Sequence, residues 1–379
     1  MKKILLRGYY GYKNSGDDAL FYAIVEKVSR TSKVHFNVLS RDELHYPKEN
    51  SGNLTFNYPS SKNILSGIMS SDILIFGGGS QLQDYGKTRL QLSLFKTYMI
   101  VSLMKLLKKD VIYLGVSIGP LETRLGKMIG KKILSKSNYI VVRDQQSYED
   151  LKKMNLRDEN IKLAPDLAIS LIDSMTVKNI SKDNKKMVLG VNLLPFFSAI
   201  KEDKEKELEL LQNISTSINI ISKEQSNIEI RLFSFQEDEE INDYHLLNSL
   251  KKMVDVEIKM IRYQPNPLSL MKELSECDRF IGMRLHSTIF AYANDIPQLI
   301  LSYHPKCKGF ANLVGYHSEN VVDVFNMEGE KFTNKLRDLI QKPDHFKPSI
   351  PVFETRKEID KVYEKLSDKF LKRKNRMSL

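Results

Sequence analysis

Cysteine is nearly absent: Cys277 and Cys307 are the only two in 379 residues. At most one bridge can form, so no disulfide framework holds the chain, and a reducing, cytoplasmic setting is expected. Long apolar runs are missing too. The longest, Leu90 to Leu107, contains Lys96 and Lys105 and reads as a buried helix rather than a membrane span. No secretory leader pattern opens the chain, because Lys2-Lys3-Ile4-Leu5-Leu6 runs straight into a glycine-rich turn. No His/Cys/Asp spacing suits a metal ion. The glycine spacing over Gly8 to Asp18 fits neither Gly-x-Gly-x-x-Gly nor a P-loop, so nucleotide binding does not follow from it. No low-complexity segment is present.

What is there points to an ordinary folded protein of more than one core. The length suggests two domains, and 41 % apolar residues suffice to build them. The net charge is +11. Its lysines are scattered and no nucleic-acid module is recognisable, so nucleic acid is not an expected partner. Arg124, Lys127, Lys131 and Lys132, with the tail Lys372-Arg-Lys-Asn-Arg376, form basic clusters. Their plain reading is a solvated helix face; the sharper one is peripheral contact with the acidic inner membrane face.

Strand and helix signals alternate. Apolar strands are expected over Ile4–Tyr9, Val34–Leu39, Asp72–Phe76, Val111–Val116 and Tyr139–Arg143. A second series covers Met187–Leu193, Ile228–Phe235, Val256–Ile261, Arg279–Gly282 and Gln298–Ser302. Helical patterns fill the gaps, which predicts βαβ units and parallel sheets. The polar, lysine-rich stretch Asp173–Lys186 separates the series. Domains are therefore expected at 1–175 and 186–345, with a charged terminal helix at 352–379 crossing back onto the first.

Polar residues gather where strands end. Gly8-Tyr-Tyr-Gly-Tyr-Lys-Asn-Ser-Gly-Asp-Asp18 is a strand-to-helix loop, and helix starts bind anions through backbone N–H groups. Gly11, Asn14 and Asp18 are candidate binding positions there. Asp17 and Asp18 sit where an N-cap is wanted, and one of them can instead face a sugar hydroxyl as a proton acceptor. Gly77-Gly-Gly-Ser-Gln-Leu-Gln-Asp84 also leaves a strand directly, and its glycines allow close approach of a ligand. Gly78, Gly79 and Ser80 are binding candidates and Asp84 a catalytic one. Arg143 is a candidate anion ligand, and Asp166 reads as a turn cap. Gly282-Met-Arg284-Leu-His286 opens a helix after a buried strand, and the next strand's loop carries Tyr303, His304 and Lys306. Arg284 offers a planar fork for a carboxylate or phosphate, and His286 can move a proton near neutral pH. A small anionic substrate and acid–base chemistry are the expectation. Neither cysteine has a base at fixed spacing, so no thiol nucleophile is expected.

These motifs, with Ser117-Ile-Gly-Pro120, Val142-Arg-Asp and Leu301-Ser-Tyr-His-Pro-Lys306, resemble polysaccharide pyruvyltransferases, the bacterial cell-wall and exopolysaccharide enzymes in particular. The resemblance runs from residue 4 to about 315. It implies an α/β, GT-B-like architecture of two Rossmann-like domains with parallel sheets and an interdomain cleft. It implies transfer of pyruvate from phosphoenolpyruvate to two hydroxyls of a sugar or lipid-linked glycan, with no cofactor beyond that co-substrate. The first domain would be the acceptor side and the second the donor side. The family's anion-binding and catalytic positions map onto Arg143, Arg284 and His286, with Lys306 as a further donor ligand and Tyr303 beside it as a binding candidate. Two motifs depart from the family's usual pattern: Gly16-Asp-Asp18 stands for Gly-Asp-Glu, and His304-Pro-Lys306 for Asp-Pro-Lys. A GT-B nucleotide-sugar glycosyltransferase and a non-catalytic anion-binding protein of a polysaccharide pathway are the alternative readings. Oligomeric state has no sequence signature here.

Overall fold

The structure, a computed structural model, describes residues 1–46, 53–174 and 186–372. The chain forms two compact units. The first comprises Met1–Tyr12, Asp17–Leu167 and Arg356–Leu379; the second comprises Lys13–Gly16 and Ala168–Thr355. The first glycine loop is thus divided, Gly8 to Tyr12 belonging to one unit and Lys13 to Gly16 to the other. The stretch 175–185, where the sequence places its break, lies outside the described residues.

The first unit holds β1 (Lys2–Arg7), β2 (Val34–Leu39), β3 (Leu54–Asn57), β4 (Ile73–Gly77), β5 (Ser80–Gln81), β6 (Asp110–Ile118), β7 (Tyr139–Val142) and β8 (Ile161–Leu163). Their order is β3-β2-β1-β4-β6-β7-β8, with β5 paired to β6. All pairings are parallel. The second unit holds β9 (Met187–Asn192), β10 (Ile228–Phe233), β11 (Ile258–Ile261), β12 (Arg279–Gly282), β13 (Gln298–Ser302) and β14 (Val321–Asp323), in the order β11-β10-β9-β12-β13-β14, again parallel throughout. Both orders run outward from the first strand and then reverse, the doubly wound pattern. Central strands such as Ile73–Gly77 are buried on both faces, which is why they read as continuous apolar runs.

The helix over residues 90–107 departs from expectation. It spans Thr88–Leu106, and only one face, including Leu94, Thr97, Val101 and Met104, is buried. Leu92, Phe95, Met99 and Leu106 are exposed. A helix apolar on all sides reads as fully enclosed; here only the sheet side is covered. The helix Val352–Leu366 belongs, from Arg356, to the first unit. There Asp360 accepts from Lys27 at 2.8 Å and Phe370 stacks near Tyr139. Residues 373–376 of the basic tail lie outside the described residues.

Candidate functional site

In the first unit the sheet order reverses between β1 and β4, and such a reversal opens the crevice where α/β sheets take ligands. Both glycine loops begin there. Buried Tyr10 ties them together: its hydroxyl donates to the Gly77 carbonyl at 2.5 Å, and a methyl group at Gly8 or Gly77 would overlap its ring or hydroxyl. Gly78 and Gly79 are consecutive left-handed residues, φ +69° and +70°. A Cβ at Gly78 would also stand 2.5 Å from the Leu20 side chain, so only glycine fits. Asp17 is half-buried and its Oδ1 faces Gly79. Asp18 turns inward, fully buried, and accepts the Gly11 N–H at 3.0 Å. Ser80 is exposed and pairs in register with Ser117.

Asp84 does not present itself as a proton acceptor. Its buried carboxylate accepts from the Thr123 hydroxyl at 2.6 Å and from the N–H groups of Glu122, Thr123 and Gly86 at 2.8, 3.1 and 3.2 Å. Burial opposes its charge, but these four donors outweigh that and hold the carboxyl below its ordinary value. It splices the second glycine loop to the start of helix Arg124–Ser135.

Arg143 is buried, and its guanidinium donates to Asp166 at 2.5 Å and to Ser117 Oγ at 3.2 Å. Asp166 is therefore its counter-ion, not a simple turn cap. Asp144 goes elsewhere, capping helix Gln145–Lys153 through the Ser147 N–H.

Arg7, the last residue of β1, belongs to none of the sequence motifs. Its Nη1 is buried with no hydrogen-bond partner among the described residues, and burial pulls its guanidinium below the ordinary value. It stays charged all the same, 5.7 Å from the Phe76 ring centre. Beyond it Tyr9 and Tyr12 stack at 4.0 Å, with the Arg41 guanidinium 5.6 Å from the Tyr12 ring. The signal was a lone charge ending an apolar strand directly before a glycine loop.

In the second unit the order reverses between β9 and β12. Asn192, fully buried at the end of β9, joins three strand ends. It donates to the Phe233 carbonyl at 2.8 Å, and its Oδ1 accepts the Arg284 N–H at 3.0 Å. The Arg284 fork is occupied by Asp243, with Nε and Nη2 each 2.6 Å from a carboxylate oxygen. Nη1 donates to Gln236 at 2.8 Å. Asp243 is fully buried and also accepts the Phe235 and Gln236 N–H groups. Burial works against the guanidinium charge, yet Asp243 more than offsets it and holds Arg284 above its ordinary value. Asn14 joins this network by donating to the same Gln236 oxygen at 3.4 Å.

His286 lies in the first turn of helix Leu285–Ala293, which no side chain caps. The Gly16 backbone packs on its ring so closely that a methyl group there would overlap Nδ1 and Cγ. After β13, Tyr303 packs at 5.0 Å on Phe196. His304 caps helix Pro305–Val314, its Nδ1 accepting the Lys306 N–H at 3.2 Å. Lys306 itself is half-buried. The second unit thus gathers Asn14, Arg284, His286, Tyr303 and Lys306, whereas Gly11, Asp17, Asp18, Gly78, Gly79, Ser80, Asp84 and Arg143 belong to the first. Both cysteines are buried, and burial pushes the Cys307 thiol up to about 11. Among the described residues no three His, Cys, Asp or Glu side chains cluster as metal ligands.

Solved structures with the same fold include UDP-GlcNAc 2-epimerase from Methanocaldococcus jannaschii (TM-score 0.64, 13% identity, 97% of this chain and 100% of that one). Others are UDP-GlcNAc 2-epimerase from Neisseria meningitidis bound to UDP-GlcNAc (0.60, 13%, 97% and 100%) and Staphylococcus aureus MnaA with UDP (0.62, 8%, 97% and 96%). At such identities they establish the fold alone, GT-B-like with two Rossmann-like domains. No curated protein sequence matches the chain. The profile of the polysaccharide pyruvyl transferases matches residues 14–305, most of the chain and nearly all the motifs above, and the protein belongs to that family.

Proposed function

We propose that this protein transfers pyruvate from phosphoenolpyruvate to two hydroxyls of one sugar, in a cell-surface polysaccharide or its lipid-linked precursor. The observation that carries the reading is His286, set at an uncapped helix start, seated on Gly16 and two residues from the Arg284–Asp243 pair. A helix start favours an anion, and an imidazole there can deliver a proton to it. In the reaction His286 protonates the methylene carbon, and the central carbon becomes electrophilic. The first sugar hydroxyl adds to it and gives up its proton, for which Asp17 is the proposed acceptor. The bond from the central carbon to the phosphate oxygen then breaks with its electron pair leaving on inorganic phosphate, and the second hydroxyl closes the ketal, its proton returning to His286. Atoms and charges balance with phosphoenolpyruvate as the only co-substrate.

We assign the cations different roles. Arg284 and Arg143 each have a buried carboxylate partner, so we assign them to holding loops in shape. Lys306 and the start of helix Leu285–Ala293 are the proposed phosphoenolpyruvate ligands. Arg7, with the Tyr9–Tyr12 stack, is the proposed holder of the acceptor. His286→Ala should lower phosphate release by about 10²–10⁴-fold at saturating phosphoenolpyruvate; near-full turnover would remove His286 from the acid role. A nucleotide-sugar reaction on the same fold would instead show heat protection by UDP and none by phosphoenolpyruvate.

A further inference from the structure

Helix Thr88–Leu106 carries a second apolar face. Leu92, Phe95, Met99 and Leu106 are 59, 52, 54 and 78 % exposed, and their spacing sets them on one side. The neighbouring helix Arg124–Ser135 packs beside it and adds Leu125 and Met128, 47 and 49 % exposed. Single exposed apolar residues need no explanation, but a run of them over two adjoining helices marks a contact surface.

The two helices themselves carry charge of one sign. Arg89, Lys96, Arg124, Lys127, Lys131 and Lys132 are exposed, and neither helix contains Asp or Glu. Among the described residues none of the six has an ion-pair partner. Lys105 and Lys136, where the two helices end, line an open cavity of about 400 Å³ with Arg157, Lys369 and Glu159.

We propose that this face of the first unit docks on an anionic lipid surface. The apolar side chains enter the headgroup boundary, and the basic ones meet lipid phosphates. No helix among the described residues is long and apolar enough to cross a membrane, so attachment is to the surface. A second copy of the chain is the less suited occupant, since a two-fold contact would set like-charged rims against each other. The proposal does not depend on the reaction, because binding is read without substrate.

The test is cosedimentation of the full chain with phosphatidylcholine vesicles, with and without phosphatidylglycerol, alongside its mass by light scattering. The expected result is binding to the anionic vesicles only, weakened by salt. Lys127→Glu/Lys131→Glu and Phe95→Ser/Met99→Ser should each weaken it by about tenfold or more, at unchanged melting temperature. Equal binding to both vesicle types would overturn the proposal, as would no binding to either. So would a dimer that Phe95→Ser/Met99→Ser makes monomeric, which would assign the face to a second copy.

Discussion

Arg7 works against the fold that holds it. A buried donor with no partner costs about 1–3 kcal/mol, and no described carboxylate offsets its charge. Such a cost is retained where a ligand makes use of it. Arg7→Met keeps the length and removes the charge, so the melting temperature should rise while the acceptor KM rises about tenfold or more and the phosphoenolpyruvate KM stays put. Calorimetry and two-substrate kinetics check this. A fall in melting temperature at unchanged acceptor KM would make Arg7 structural. Gly16 makes the complementary case in the second unit. Its backbone is the seat of the His286 ring, and a ring displaced by about 1 Å loses on the order of 10²-fold in turnover. Gly16→Ala should therefore lower kcat about that far with little change in donor KM. Normal turnover would show that the ring's seat does not matter.

The loop Gly77–Asp84 is an element held from its far end. With four donors on Asp84, its folded pKa lies below the unfolded value of about 3.9. The unfolded state therefore binds the proton first as pH falls. The stabilisation is complete above that value and is lost on acidification through the folded pKa. Asp84→Asn should thus start from a lower melting temperature at neutral pH and show a shallower decline between about pH 5 and pH 3; parallel curves would contradict the assignment. Elements of this kind also show what a sequence discloses. Gly78 and Gly79 were legible because their requirement is local. Buried strands such as β4 and β13 were legible as apolar runs, whereas β3 and β14 are short and lie among polar residues. Thr88–Leu106 was legible as a helix but not as one with an open face, because apolar residues lie on both its sides. The ion pairs were not legible at all. Arg143 finds Asp166 23 residues on, and Arg284 finds Asp243 41 residues back, separations set by the fold and not by any helical or strand period.

At the scale of the whole molecule, the same winding outward from the first strand and then back past it occurs twice, and each sheet has its own reversal point with its own chemistry. At β1/β4 there are glycine loops, Asp17, tyrosines and Arg7. At β9/β12 there are His286, an uncapped helix start and a carboxylate-locked arginine. That asymmetry is the physical ground for assigning the sugar to the first unit and phosphoenolpyruvate to the second, and hydrogen exchange can read the two units separately. Ligand at 100 times its Kd stabilises the bound state by about 2.7 kcal/mol, enough to slow exchange at amides that open with the site. Phosphoenolpyruvate should slow exchange at 235–236 and 283–287 and leave 8–12 and 77–81 at their ligand-free rates; a soluble acceptor glycan should do the reverse. Phosphoenolpyruvate protection confined to 8–12 and 77–81 would exchange the two assignments. Protection of neither unit by phosphoenolpyruvate, with protection by UDP, would replace the pyruvyl donor by a nucleotide sugar.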